Sequence, residues 1–170
     1  PNSVAVSDGL VAVAIERKDG DDRQLDGILA FFDADGTLID QASTGALPDM
    51  VTFTPNGLWA LTADEGEPSP DYAFDPQGTV TIVSLKRLRL VLQTGNPALR
   101  LRSQDVRRAT FEAYDASRDE LRAQGVRIYG PGASVSQDLE PEYIAVSTDS
   151  ARAYVTLQEN NAVAVVHIPS

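Results

Sequence analysis

Apolar positions in this chain fall in short runs, and the runs recur in threes. The first set is Val4-Ala5-Val6, a Ser-Asp-Gly turn, then Leu10 to Glu16. The second is Met50 to Phe53, a Thr-Pro-Asn-Gly turn, then Leu58 to Glu65. The third is Tyr143 to Val146, a Ser-Thr-Asp-Ser turn, then Ala151 to Glu159. Each set is followed by another apolar run, Gly27 to Asp33, Gly78 to Leu85 and Ala162 to Ile168. Short alternating runs separated by Asp-Gly or Asn-Gly predict β-hairpins. The third runs are almost continuously apolar, which fits strands covered on both faces. Asp35-Gly36 then predicts a further hairpin into Leu38-Ile39.

Self-similarity at this spacing decides architecture before any single residue does. Strand, tight turn, strand, loop, strand is most of one β-propeller blade. We therefore expect an all-β chain, a partial β-propeller of about three four-stranded blades. Residues 1–170 form one domain in this reading, with blade one at about 1–45 and blade two at about 46–114. An inserted helix and linker take about 115–140, and an incomplete blade three about 141–170. The stretch 86–104, with Lys86, Arg87, Arg89, Arg100 and Arg102, reads as an exposed basic loop. Val106 to Tyr114 reads as the fourth strand of blade two. Ala116 to Gln124 has helical composition and ends at Gly125, a suitable C-cap. Three blades do not close a ring, since propellers use roughly four to eight. The remaining blades are expected in the same gene product or a second chain, or else the chain self-associates.

Composition narrows the function classes. The chain has 170 residues, no cysteine and a formal net charge of −11. Cysteine nucleophiles, disulfides and thiolate metal sites are excluded. A surface this acidic argues against nucleic acid and against anionic membranes, and no apolar run is long enough for direct membrane insertion. It is compatible with cation binding.

The repeated carboxylates have a pattern of their own. In an antiparallel hairpin the start of the first strand lies beside the end of the second. Asn2, Asp49 and Glu142 follow the opening prolines; Glu16, Glu65 and Glu159 close the second strands. All six should share one face, at the mouth of a central channel, with Glu67, Asp71, Glu140, Asn160 and Asn161 on loops nearby. Two carboxylates roughly 6 Å apart repel by about 3 kcal/mol at an effective dielectric of about 20. Such a set needs protons, separation or a cation. Oxygen ligands suit a hard cation, so Glu16, Asp49, Glu65, Glu67, Glu142 and Glu159 are the candidate metal ligands, with Ca²⁺ first and Mg²⁺ or Fe as alternatives.

Three other features have plainer readings. Phe31-Phe32-Asp33-Ala34-Asp35-Gly36-Thr37 resembles the nucleophile motif of haloacid-dehalogenase-type phosphatases, but that fold needs strands and helices around a parallel sheet. Asp33 to Gly36 is therefore expected to be a hairpin turn. Asp19-Gly20-Asp21-Asp22 lacks the ligand spacing of an EF-hand. His167, the single histidine, and Arg127 and Arg152, possible phosphate binders, are more simply surface residues.

The strings PNSVAVSDGLVAVAIE, GALPDMVTFTPNGLWALTADEGEPSPDYAFDPQGTVTIVSL and ELRAQGVRIYGPGASVSQDLEPEYIAVSTDSARAYVTLQENNAVAVVHI resemble the choice-of-anchor I domain family. EGEP, QDLEPEYIAVS and VTLQENNA are its specific parts, and the resemblance spans nearly all the chain outside 86–104. It implies a secreted or surface-attached β-propeller, and only loosely an activity. The chain departs from the family in carrying Asp64 where Asn is usual and His167 where Asp is usual. Some secreted alkaline phosphatases are propellers whose channel-facing acids hold calcium and iron, so the resemblance also implies an alternative, a metal-dependent phosphoesterase. The reading favoured by the residues is a binding or scaffold module with an acidic, calcium-binding mouth.

Overall fold

Asp8 and Gly9 both take positive φ, 47° and 77°, the backbone of a two-residue hairpin turn matched to strand twist. They join β1 (Ser3–Ser7) to β2 (Leu10–Lys18), which continue antiparallel into β3 (Gln24–Asp33) and β4 (Leu38–Ala46). Leu47 alone separates β4 from β5 (Pro48–Phe53), which pairs with β6 (Trp59–Asp64), β7 (Thr79–Ser84) and β8 (Val106–Thr110). The third sheet contains β9 (Tyr143–Val146), β10 (Arg152–Leu157) and β11 (Ala162–His167). The computed structural model describes residues 1–169, and in it the chain forms three antiparallel sheets of four, four and three strands.

The sheets stack as layers. Between the first and second lie Leu10, Leu29, Phe31, Val51, Val83 and Leu88, all buried. Between the second and third lie Leu61, Val80, Ile82, Ile144 and Val155. The middle sheet is thus apolar on both faces, which is why β7 is buried along nearly its whole length. The first strands are neighbours from sheet to sheet, β1 against β5 and β5 against β9, while β4 crosses over β6, β7 and β8. Each fully buried Leu or Phe contributes about 1.5–3 kcal/mol. The outer face of the first sheet stays open, with Val4 and Val6 mostly exposed, as does that of the third, with Val163 and Val165.

Two sequence expectations need correction. Residues 86–104 are not simply an exposed basic loop: α1 (Lys86–Thr94) forms there, ending at Gly95 in the left-handed region. Leu88 is fully buried, with Val91 and Leu92 packed beside it. The Arg89 guanidinium donates to the carbonyls of Ser7 (2.8 Å), Asp8 (3.0 Å) and Gly57 (3.3 Å), tying the turns of two sheets together. The basic residues masked an apolar stripe at helical spacing. The single inserted helix also becomes more. A tight helical turn at Glu112–Ser117 runs into α2 (Arg118–Ala123), and α3 (Val135–Asp138) follows. They cap a small core of Phe111, Ile128, Val135, Leu139 and Leu157.

The Asp33 turn is a hairpin turn, as the pattern predicts. Asp33 Oδ1 accepts from the N–H groups of Asp35 (3.0 Å) and Thr37 (2.8 Å). The carboxylate is occupied in shaping the turn between β3 and β4. Asp19 does the same for its own loop, accepting from the N–H groups of Asp21 and Arg23 and pairing with the Arg23 side chain.

Candidate functional site

The opening of β5 is irregular. Pro48 pairs with Asp64 and Met50 with Ala63, so Asp49 bulges outward between them and is exposed. Leu47 before it takes φ of +50°, unusual for a bulky residue, and its carbonyl accepts the Glu65 N–H at 2.8 Å. Asp49 and Glu65 therefore leave the end of one hairpin together. Asn2 joins them from the first sheet, donating its N–H to the Ala14 carbonyl and its side-chain amide to that of Pro48.

A second segment approaches from the third sheet. Ser134 caps α3, accepting from the Gln137 N–H while its own N–H donates to the Gln137 side chain. The chain then runs through Leu139-Glu140-Pro141 against the start of β7. Gly78 permits this approach: a Cβ there would collide with the Leu139 carbonyl and lie 2.6 Å from Pro141 Cδ. Asn160, fully buried, holds the same segment. Its Oδ1 accepts the Glu140 N–H at 3.1 Å, and its amide donates to the carbonyls of Arg127 and Asp138. Glu142 leaves β9 beside β10, its N–H donating to the Thr156 carbonyl.

The outcome is a patch of carboxylates at the junction of the second and third sheets. Burial pushes the Glu65 carboxyl up to about 8, and the charges of Asp49, Glu67, Glu142 and Glu140 push the same way. Burial pushes Glu140 up to about 7, helped by Asp138, Glu159, Glu67 and Asp75. Glu142 is raised by burial, then by Glu159 and Asp49. Tyr129 is pushed up to about 12 by burial and by Glu140, Glu159 and Asp138, while the Arg127 guanidinium stacks 5.1 Å from its ring centre. Among the described residues, no ion pair includes Glu65, Glu140, Glu142 or Glu159.

Of the six carboxylates singled out from sequence, Asp49, Glu65, Glu67, Glu142 and Glu159 thus act on this patch. Glu16, half-buried at the end of the β1–β2 hairpin, is not among the groups that shift Glu65, Glu140 or Glu142. Glu140 emerges as a central member: it is 6% exposed and lies among Asp138, Glu159, Glu67 and Asp75. The sequence pattern placed it on a loop near the six carboxylates but not among the candidate ligands. The donor set is all oxygen, which fits a hard cation. Its spacing is looser: among the described residues, no three such side chains stand close enough to hold one ion. Asn160 is consumed by structural hydrogen bonds, and Asp71 by those to Ser69 and Ala73.

Asp64 lies beneath the patch and plays a different part. It is fully buried, and its carboxylate accepts from the hydroxyls of Thr62 (2.6 Å), Thr79 (2.8 Å) and Thr81 (2.6 Å) and from the Gly45 N–H (3.0 Å). Gly45 belongs to the first sheet and Asp64 to the second, so this node joins two layers. Burial raises its carboxyl despite four donors. A neutral amide could keep much of the network.

The whole length of the chain, residues 1–170, matches the family model described as the choice-of-anchor I domain. No curated protein matches it significantly. The family points to a cell-surface or extracellular protein, and no helix among the described residues is long and apolar enough to cross a membrane. This end-to-end match places the chain in the choice-of-anchor I domain family.

Proposed function

We propose that this chain is a binding or scaffold module of a secreted or surface-attached protein, built as three successive blades of a β-propeller, with an acidic mouth that takes a hard cation, Ca²⁺ first. Support for the blades comes from the order of strands within each sheet, the adjacency of β1, β5 and β9, and the cores between consecutive sheets. Residues 1–170 would be one unit, with blades at about 1–45, 46–114 and 141–170. The outer faces carrying Val4, Val6, Val163 and Val165 would meet further blades or another copy of this chain.

One observation carries the cation reading. Glu65 and Glu140 are packed among other acids with no ion-pair partner among the described residues, so their charged forms are costly until a cation arrives. A bound ion would draw Asp49, Glu65, Glu67, Glu140, Glu142 and Glu159 together. The Asp33 carboxylate is turned to its own loop, which speaks against the dehalogenase-type reading of that motif.

Thermal melting tests the proposal. Free calcium at about 100 times its dissociation constant should add roughly 2.7 kcal/mol by linkage. Glu65→Gln with Glu140→Gln should abolish that gain. Identical melting in calcium, magnesium and chelator would sink the reading.

A further inference from the structure

The carboxylates of the acidic mouth are spread out. Asp49 and Glu65 leave the β5–β6 hairpin and Glu67 follows on the next loop, while Glu140, Glu142 and Glu159 belong to the third sheet and the segment before it. They act on one another through space, yet among the described residues no three stand close enough to share one ion. A single metal ion has to gather them against their own repulsion. A ligand whose positive charges are already separated does not.

Two buried acids call for a donor. Glu140 is 6% exposed and belongs to no ion pair among the described residues. Asp75, whose charge helps to raise Glu140, keeps its Oδ1 buried with no hydrogen-bond partner among the described residues. Asp138 beside them is satisfied, since it accepts from the N–H groups of Tyr129 and Gly130. Two aromatic rings border the same place. Tyr72 and Tyr129 are 38% and 41% exposed. Glu140, Glu159 and Tyr72 all push the Tyr129 hydroxyl up, so these groups share one environment. The Tyr129 ring already carries one organic cation, the Arg127 guanidinium 5.1 Å from its centre. Tyr72 is held in place on the loop between β6 and β7. It takes φ of +55°, its N–H donates to the Ser69 carbonyl at 2.8 Å, and the Ser69 hydroxyl accepts the Phe74 N–H at 3.0 Å. The Gln137 side chain donates to the Asp75 carbonyl at 2.7 Å and ties that loop to the segment carrying Glu140.

We propose that the mouth binds a linear polyamine, which deepens, and rests on, the reading of this patch as a cation site. One ammonium group is taken by Glu140 and Asp75, and the next by Glu67 and Glu159. The methylene chain between them lies on the Tyr72 ring. Carboxylates supply the attraction, and the ring distinguishes an organic cation from an inorganic one, because its face attracts ammonium groups and its apolar body covers methylenes. Spaced carboxylates, which suit a metal ion poorly, suit spaced ammonium groups well.

The probe is spermidine, titrated by calorimetry into the full chain in chelator at neutral pH. Cobalt(III) hexaammine, also trivalent but without methylenes, is the reference. Saturable binding is expected, with spermidine about tenfold the tighter of the two. Tyr72→Ala should weaken spermidine about fivefold and leave the reference unchanged, whereas Tyr72→Phe keeps the ring and should keep the affinity. Tyr129→Ala repeats the test from another segment, which keeps it sound if one variant unfolds. Glu65→Gln with Glu140→Gln should weaken both ligands. Equal affinity for the two trivalent ions, or spermidine binding indifferent to both tyrosine variants, overturns the proposal, because a diffuse acidic field then accounts for it. Stabilisation by calcium with no spermidine binding also overturns it and leaves the calcium reading standing. A chain that responds to neither cation refutes both.

Discussion

The acidic patch should make the protein less stable as the solution becomes more alkaline. The perturbation is Glu65→Gln, alone and with Glu140→Gln. In the folded chain Glu65 holds its proton up to about 8, against an ordinary value of 4.5. The folded state therefore binds more protons than the unfolded state between those limits. The associated stability is fully present below about pH 4.5 and is lost as pH rises through about 8. At about 1.4 kcal/mol per pH unit the whole displacement corresponds to about 5 kcal/mol. Glu65 is only half-buried, so solvent screening leaves about 1–2 kcal/mol as the measurable part. Glu140 titrates in the same direction, up to about 7. The assay is urea unfolding in chelator at intervals from pH 5 to pH 9. With a slope of about 2 kcal/mol/M, the wild-type midpoint should fall by about 0.5–1 M more than that of Glu65→Gln. Glutamine keeps the shape and removes the charge, so the double variant should be flattest and should be the most stable of the set at pH 9. Parallel midpoint curves for all three proteins would refute the argument, because the carboxylates would then be solvated and independent.

Asp64→Ala should cost about 3–5 kcal/mol, measured by the same unfolding assay, because it strands the Gly45 N–H and three threonine hydroxyls in a dry layer. Asp64→Asn should cost less than about 1 kcal/mol, since an amide oxygen still accepts and no buried charge remains; equal losses for the two variants would contradict the node. Asp33→Asn should change stability by less than about 0.5 kcal/mol, because asparagine caps the same turn, and any hydrolysis of p-nitrophenyl phosphate by the protein should persist. Turnover abolished in a folded Asp33→Asn would restore the dehalogenase-type reading.

Much of the strand plan was legible in the residues alone. Alternating apolar runs around Asp8-Gly9, Asn56-Gly57 and Asp149-Ser150 mark three hairpins, because side-chain period and turn chemistry are local properties. The same locality identified Asp33 to Gly36 as a turn, where the motif taken as a string pointed to a nucleophile. Register also carried the conclusion that Asp49 and Glu65 leave the β5–β6 hairpin together. Helix α1 was obscured because its arginines outweigh Leu88, Val91 and Leu92 until those residues have a core to enter.

What the tertiary structure decided is which distant residues share an environment. Sequence placed Glu140 only on a loop near the other acids; the packing of Leu139 against Gly78, and the Asn160 bonds beneath it, bury its carboxyl among Glu67, Glu159 and Glu65. Glu16 sits at the same hairpin position as Glu65, yet it is not among the groups that shift Glu65 or Glu140, and Glu159, which does act on Glu140, lies one place further along in the turn after β10, since nothing local records how sheets stack. Asp64 reads as one more surface acid until Gly45, nineteen positions away, donates to it across a sheet boundary. Hairpins are settled by neighbours along the chain. Charge, burial and the cost of both are settled by neighbours in space, and those depend on every layer being in place.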